Sequence, residues 1–299
     1  MNDIETMFTA VYTLVDDQCK GIVNSYSQLR ASGPEPEFSD SEVITLALMA
    51  ELTKNDSENA WIPYVTKNHR HLFPKIIERS RYNRRVKDLT QIIDKIRCNL
   101  RDELAGVMPF IQIVDSVPLP VCHYARAGRC RSFSGEAAFG VCESKKEKVY
   151  GFKIHLTTSA GGVPLSFSIA PANHHDVKLV WDLVDHCWNI NLIGDKGYID
   201  KDQEEELKRT RNITLLTHKR KNQKEKNSRW LNSFISRSRK IIETVFSQLT
   251  DQFNISKNRA KMFSGLISRV VRKITAYTIG IYINKLFNRP LLEIKSLVF

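Results

Sequence analysis

The chain has 299 residues, of which 42% are hydrophobic and 26% are charged, and its formal net charge is +12. This composition is typical of a globular protein with one large domain or two, and no apolar run is long enough to span a membrane. The six scattered cysteines form no C-x-x-C pair and the N-terminus lacks a basic-then-apolar signal, so we expect a cytoplasmic protein with reduced thiols.

The first hundred residues predict an all-helical region, residues 1–104. Ser39 followed by Glu42 is a capping box, which predicts a helix over residues 40–52. A further helix is predicted from Asn83 to about Leu104, and a basic cluster lies at its start. Two residues of that cluster are candidate DNA contacts: Arg84 and Arg85. Short helices with a basic segment favour a helix-turn-helix-like DNA-recognition region. A helical scaffold without a DNA role stays open, because these residues are nearly neutral in total.

From residue 108 the pattern changes from helical spacing to strand-like runs. Residues 110–115 form a short apolar run that ends in Asp115, and the prolines that follow favour an early end to this strand. Residues 117–148 are interpreted as an inserted loop. Strict alternation on both sides of Gly161-Gly162 predicts a β-hairpin with one buried face, formed by residues 150–157 and 163–169.

The later elements complete an α/β domain over residues 108–290. A helix over 176–187 is followed by a strand that ends in Asp195, and two further helices and one short strand come after it. The order β-β-β-α-β-α-β-α predicts a mixed five-stranded sheet, which is the order of the ribonuclease-H-like fold. In this topology Asp115 and Asp195 meet at one sheet edge. The alternative is that each aspartate only forms a turn after its strand.

Residues 217–240 form a strongly basic block. They contain nine Lys or Arg residues against one acid, a net charge of +8 in 24 residues. Such a block predicts a polyanionic partner, most simply double-stranded DNA, although a solvated basic loop is the alternative. The best candidates for contacts to the DNA backbone are Lys219, Arg220 and Lys221. Trp230 in the same block is a candidate to stack on a base or, equally, to pin the loop to the core.

A third carboxylate is offered by the amphipathic helix predicted over residues 233–249. Glu243 falls at the border of the buried stripe, with Arg239 one turn earlier on its side. Arg239 can pair with Glu243 or bind a phosphate, and an ordinary surface ion pair is the alternative. Three carboxylates beside a basic block predict two-metal phosphodiester chemistry with two Mg²⁺ ions, for which Mn²⁺ can substitute.

Several blocks together resemble those of bacterial insertion-sequence DDE transposases, and most closely the insertion-sequence family numbered 982. The resemblance covers roughly residues 35–290. The blocks are Val114-Asp115-Ser116, the strand from Tyr150 to His155, Ala172-Asn173-His174-His175-Asp176, Gly194-Asp195-Lys196-Gly197-Tyr198 and Arg239-x-x-x-Glu243-x-x-Phe246. One departure is Ser236, where related elements often carry a Tyr seven residues before the Glu.

The resemblance implies a transposase that cleaves phosphodiester bonds at the ends of its mobile element and joins the 3′ ends to target DNA. It implies Asp115, Asp195 and Glu243 as catalytic residues and metal ligands, with terminal inverted repeats as DNA partner and a homo-oligomer on that DNA. The alternatives are a same-fold nuclease without strand joining and a non-catalytic DNA-binding protein.

Three further sets of side chains are weaker candidates. Lys153 and His155 fall on the polar face of their strand and line the DNA path or a solvated sheet face. Asp176 competes for the second-acid role, but a first-turn acid of its helix is the better interpretation. The cysteines between residues 122 and 142 match no standard zinc spacing.

Overall fold

The computed structural model describes residues 3–22, 36–142, 147–220, 226–257 and 259–297. The chain forms two compact units. The first, here the helical unit, comprises Met1–Leu100, Leu249–Ile255 and Ser264–Phe299, and the second, here the sheet unit, comprises Arg101–Gln248 and Ser256–Phe263. The C-terminal residues therefore group with the N-terminal helices, and the domain boundaries drawn from the sequence stay a prediction.

The helical unit confirms the all-helical N-terminal region. Its helices are α1 (Ile4–Ile22), α2 (Asp40–Leu52), α3 (Glu58–Asn68), α4 (Arg79–Asp88) and α5 (Thr90–Ala105), together with the later helix α9 (Phe263–Leu286). The capping box is confirmed: Glu42 N donates to Ser39 Oγ at 3.1 Å, and Ser39 N donates to Glu42 Oε2 at 2.6 Å. This cap starts α2 at the predicted residue because it satisfies two otherwise unpaired N–H groups.

Helix α9 carries a buried cation into the core of the helical unit. Lys273 is 3% exposed, and its Nζ lies 2.6 Å from Glu51 Oε2 and 2.8 Å from Asp56 Oδ1. Arg272 Nε lies 3.6 Å from the other Glu51 oxygen. Buried charges are tolerated when they are paired in this way, so the ion pairs explain why α9 is buried along most of its length despite its basic residues.

Replacing Lys273 by Met is expected to lower the free energy of unfolding by about 3 kcal/mol, because it leaves the buried Glu51 carboxylate with Arg272 as its remaining partner. Chemical denaturation of the two proteins measures this difference. Lys285→Met is the matched control, since Lys285 is exposed on the same helix. Equal losses in the two variants would contradict the assigned role of the buried pair.

The sheet unit contains six strands in the described part of the chain, one more than predicted. They are β1 (Ile111–Pro120), β2 (Ala138–Cys142), β3 (Glu147–Ser159), β4 (Pro164–Pro171), β5 (Asn191–Ile193) and β6 (Thr214–Leu216). The strand order is β2-β3-β1-β5-β6, and β4 also pairs with β3. The extra strand arises because the segment interpreted as an inserted loop contains the end of β1, a 3₁₀ helix over Tyr124–Arg129 and β2.

Three helices surround the later strands: α6 (Val180–Leu183), α7 (Lys201–Arg211) and α8 (Arg229–Asp251). Two 3₁₀ helices, Asp176–Leu179 and Lys196–Tyr198, precede α6 and α7. The parallel arrangement of β1, β5 and β6 is confirmed. Within the described residues, no helix combines the length and the apolar character that crossing a membrane requires.

Strand β1 is longer than the sequence predicted, and Asp115 lies in its middle rather than at its end. The prolines do not end the strand: Pro118 is paired with Lys153 and Pro120 with Gly151 of β3. Pairing with β5 stops at Ile113. Because β5 does not accompany the second half of β1, that half has a free side where proline, which lacks an N–H group, is tolerated.

Strand β3 is buried on both faces, although the alternation predicted one. His155 and Thr157 on the polar side are both 0% exposed. Central strands of α/β sheets are covered on both faces by the connecting segments, so a polar residue can be buried there if its partners are provided.

Candidate active site

Two aspartates extend from the end of the parallel pairing between β1 and β5. The last paired residues are Ile113 and Ile193, and each aspartate lies two residues further along its chain. The Asp115 carboxylate accepts a hydrogen bond of 2.8 Å from the Ser116 N–H. Asp195 caps the 3₁₀ helix that follows β5, and its carboxylate accepts from the Gly197 N–H. Parallel pairing therefore places both carboxylates just beyond the end of the β1–β5 pairing, on neighbouring strands as predicted from the order of the elements.

Helix α8 brings the third carboxylate. Ile242, Val245 and Leu249 are fully buried, whereas the Glu243 side chain is 57% exposed at the border of this stripe. Arg239, one turn earlier, joins the three acids. Its Nη2 lies 3.6 Å from Asp115 Oδ2, 4.0 Å from Asp195 Oδ2 and 3.9 Å from Glu243 Oε1. One guanidinium nitrogen is thus within ion-pair distance of all three carboxylates.

Burial controls the electrostatics of this cluster. It raises the pKa of Asp115 to about 6. The hydrogen bond from Ser116 and the charge of Arg239 lower this pKa, whereas the negative charges of Asp195 and Glu243 raise it. A buried carboxylate with two acidic neighbours binds a nearby cation favourably. Among the described residues, Arg239 is within ion-pair distance of the Asp115 carboxylate.

The donor set fits a hard divalent cation, because carboxylate oxygens are the ligands that Mg²⁺ and Mn²⁺ prefer and the three converge on one point. In the arrangement described, that point is taken by Arg239 Nη2. Accordingly, among the described residues no group of three acids, histidines or cysteines stands close enough to hold an ion without rearrangement. The three carboxylate oxygens lie 3.6–4.0 Å from that nitrogen, whereas Mg²⁺ binds its oxygen ligands at about 2.1 Å. A metal ion in this cluster therefore requires Arg239 to move away and the carboxylates to move closer together.

The cluster lies in an open cleft of about 640 Å³, in which a fourth acid is found. Asp176 Oδ1 lies 3.0 Å from Lys153 Nζ. A Cβ added to Gly197 would meet Asp195 Oδ1 at 3.0 Å and Asp176 Oδ2 at 3.3 Å, so both carboxylates contact the same glycine. Asp176 does begin a helix, as interpreted from the sequence, but its carboxylate also lines the cleft that holds the other three acids. The sequence signal for this was its place in the block 172–176.

A buried histidine–tyrosine pair supports the segment after Asp195. His155 Nδ1 lies 3.2 Å from the Tyr198 hydroxyl, and His155 Nε2 lies 3.9 Å from Asp176 Oδ1 without a hydrogen-bond partner among the described residues. Burial lowers the pKa of His155 to about 4 and raises the pKa of Tyr198 well above its usual range. Both side chains are therefore neutral near pH 7. Neither the DNA path nor a solvated face describes the His155 ring, because it is 0% exposed.

The remaining predicted DNA contacts of the sheet unit have different surroundings. Arg220 donates a hydrogen bond of 3.2 Å to the Lys196 carbonyl, next to Asp195, and Lys219 is half-buried. Lys221 lies outside the described residues. Trp230 is 73% exposed and stacks on Phe234 with the ring centroids 5.6 Å apart. Trp230 therefore does not pin the basic block to the core.

The two predicted contacts of the helical unit differ from each other. Arg84 is exposed on α4. Arg85 is half-buried, and its Nη2 donates to Asp40 Oδ1 at 2.6 Å while its guanidinium lies 5.8 Å from the centroid of the Phe38 ring. The structure thus assigns Arg85 to the packing of α4 on α2 rather than to a surface that DNA reaches. This pairing spans 45 residues, so local sequence carries no signal for it.

The comparisons with known proteins support one family. A family model described as "Transposase DDE domain" matches residues 105–263, which is slightly more than half of the chain. Neither the curated proteins nor the solved structures contain a match. The matched range includes Asp115, Asp195, Arg239 and Glu243, the residues that the fold brings together. The chain therefore belongs to the transposase family that carries the DDE domain.

Proposed function

We propose that this protein is a DNA transposase that cleaves phosphodiester bonds at the ends of its mobile element and joins the 3′ ends to target DNA. The observation that carries the proposal is the convergence of Asp115, Asp195 and Glu243 on Arg239 Nη2 in a chain with a transposase DDE domain. The resemblance of the sequence blocks to insertion-sequence family 982 supports an insertion-sequence enzyme, and this narrower assignment is part of the proposal.

The sheet supports a ribonuclease-H-like assignment of the catalytic domain. Five of its strands follow the order β4-β3-β1-β5-β6, with β3 antiparallel to β1 and with β5 and β6 parallel to it. The sequence predicted three antiparallel strands followed by two strands parallel to the first, and β2 is an addition to them. The order matters for function because it puts the two aspartate-bearing strands side by side.

In the proposed mechanism, Asp115, Asp195 and Glu243 would hold two Mg²⁺ ions. When bound, the ions activate the attacking water or 3′-hydroxyl and stabilise the leaving oxygen. Arg239 and Lys153 are then positioned to bind phosphate oxygens, because both cations lie in the same cleft as the acids. The proposed attack is direct, without a covalent enzyme intermediate. Tyr198, the hydroxyl nearest in sequence to Asp195, is 1% exposed and contacts His155, so it is not available as a nucleophile.

DNA is the proposed partner outside the cleft. Lys219 and Arg220 follow β6 on the side of Asp195 and provide backbone contacts, and the exposed Trp230–Phe234 stack is suited to contact a base. In the helical unit, exposed Arg84 is the proposed contact to the terminal inverted repeats. Assembly as a homo-oligomer on the DNA completes the proposal.

A cleavage and joining assay tests this function. The purified protein is incubated with DNA from the flanks of its own gene, with Mg²⁺ or Mn²⁺ and a second DNA as target, and the ends are sequenced. We expect nicks at defined positions and covalently joined products. Nicks without joined products indicate a nuclease. DNA binding that is indifferent to Mg²⁺, without cleavage under any condition, indicates a non-catalytic DNA-binding protein.

A further inference from the structure

An exposed aromatic ring forms part of the wall of the catalytic cleft. Phe139 on β2 is 54% exposed and lines the same cleft as Asp115, Asp195 and Glu243. Val141, two residues further on the same face of the strand, is 55% exposed and also lines it. Two adjacent exposed apolar side chains that line a polar cleft together are typical of an interaction surface.

The ring is held in place by its neighbours. Tyr150 lies directly opposite Phe139 across the strand pair, with the ring centroids 4.8 Å apart, and Tyr124 contacts Phe139 edge-on at 5.8 Å. Gly140 allows β2 to approach the chain closely: a Cβ there would lie 2.2 Å from the Ala172 carbonyl oxygen. Phe139 is therefore a fixed platform, and little conformational entropy is lost when a flat ligand stacks on it.

The segment that carries the platform is anchored to the sheet by a strained residue. Phe133 has a φ of 59°, which side chains rarely adopt, yet its ring is 3% exposed and packs on Phe152 at 5.3 Å. Such a conformation persists only where the surrounding packing stabilises it. The stretch between β1 and β2 is thus held against the sheet by packing of the Phe133 ring.

The platform belongs to a stretch of the chain with a small excess of positive charge. The described residues of 121–148 include four cations and two acids, and every one of these side chains is exposed: Arg126, Arg129, Arg131 and Lys148, with Glu136 and Glu147. The Lys148 ammonium lies 5.9 Å from the Tyr124 ring centroid, beside the platform. An aromatic surface with a cation beside it matches a nucleotide, whose base stacks while its phosphate pairs with the cation.

We propose that Phe139 is a stacking site for an unpaired nucleobase of the DNA next to the scissile phosphate. The inference rests on the proposed function and makes it more specific: the enzyme binds ends at which at least one base is taken out of the duplex. A base is favoured over a protein partner because the platform shares its cleft with the phosphate-cleaving acids. Freeing a base costs unstacking energy, which stacking on Phe139 offsets.

Fluorescence of 2-aminopurine tests the proposal without cleavage. The probe is DNA from the flanks of the gene with 2-aminopurine as the unpaired base of a fork beside the cleavage position, measured with Ca²⁺ in place of Mg²⁺. With wild type we expect quenching and tighter binding of the fork than of the paired duplex. Phe139→Ala and Phe139→Leu are expected to lose the quenching and roughly 5- to 150-fold of affinity for the fork, and Phe139→Trp is expected to retain both.

Two controls separate the possible failures. Phe110→Ala changes an equally exposed Phe, 64% exposed before β1 and outside the cleft, and is expected to behave as wild type. If wild type binds and cuts the flanking DNA but Phe139→Leu keeps the quenching, the stacking site is overturned and the proposed function stands. If the DNA-free protein is an oligomer and the Phe139 variants are monomers, the platform is a contact between copies. If wild type neither binds nor cuts, both proposals fail.

Discussion

Glu243→Gln is expected to reduce the rate of DNA cleavage by at least about 1,000-fold while DNA binding changes little. The substitution keeps the size of the side chain and removes one of the three negative charges around Arg239 Nη2. A carboxylate that holds a metal ion contributes several kcal/mol to stabilising the transition state, and each 1.36 kcal/mol is a factor of ten in rate. The Glu243 side chain is 57% exposed, so its packing contribution is small and the protein is expected to fold normally.

Single-turnover cleavage of DNA from the flanks of the gene measures this effect, and a mobility-shift assay measures binding. Glu205→Gln is the matched control, because Glu205 is an exposed glutamate of α7 in the same unit and lies outside the cleft. Cleavage by Glu243→Gln at a rate near that of wild type would exclude Glu243 as a metal ligand. Equal losses in both variants would point to a general effect of charge on DNA binding.

Asp115→Asn is expected to abolish cleavage and, without metal, to make the protein more stable at neutral pH. Burial raises the pKa of Asp115 from 3.8 to about 6. The folded protein therefore binds a proton more tightly than the unfolded chain. Burying the ionised Asp115 carboxylate lowers the free energy of unfolding. This loss of stability is absent below about pH 4 and complete above about pH 6, so wild type becomes less stable as the pH rises through this window. Asparagine resembles the protonated form and keeps the acceptor for the Ser116 N–H.

The expected gain is about 3 kcal/mol at pH 7.5, since two pKa units correspond to roughly that free energy, and it disappears towards pH 4. Chemical denaturation of wild type and Asp115→Asn, with a chelator present and between about pH 4 and pH 7.5, gives the difference in their free energies of unfolding. Other titrating groups, including His155, contribute equally to both proteins and cancel in this difference. Asp182→Asn, at an exposed aspartate of α6, is expected to show no such trend. A variant less stable than wild type at pH 7.5 would mean that the ion pair with Arg239 outweighs the burial of Asp115.

Part of the site was predictable because its signals are local. Asp195 lies two residues after a short buried strand, and Glu243 lies at the edge of a helical stripe whose spacing is visible in the sequence. The order of the elements predicted that β1 and β5 are parallel neighbours, and their register confirms it. These inferences required only hydrophobic period, capping and the handedness of crossover connections.

Other features depended on contacts between distant segments. The prolines of β1 are tolerated because β5 ends early, which no local pattern around Asp115 indicates. His155 occupies a polar position of an alternating strand, yet it is buried because Tyr198, 43 residues later, covers it. Arg85 looks like a surface cation and pairs instead with Asp40.

The sequence by itself determined that helices precede a mixed α/β region, where α2 begins, and that three carboxylates and a basic block lie in that later region. Capping, hydrophobic period and charge depend on residues that are close in sequence, so they can be recognised without knowledge of the tertiary structure. Only the tertiary structure decided that Arg239 lies among the three acids, that Asp176 faces their cleft and that Phe139 stands exposed in its wall. These positions follow from packing between segments far apart in the chain, where burial and close approach are first defined.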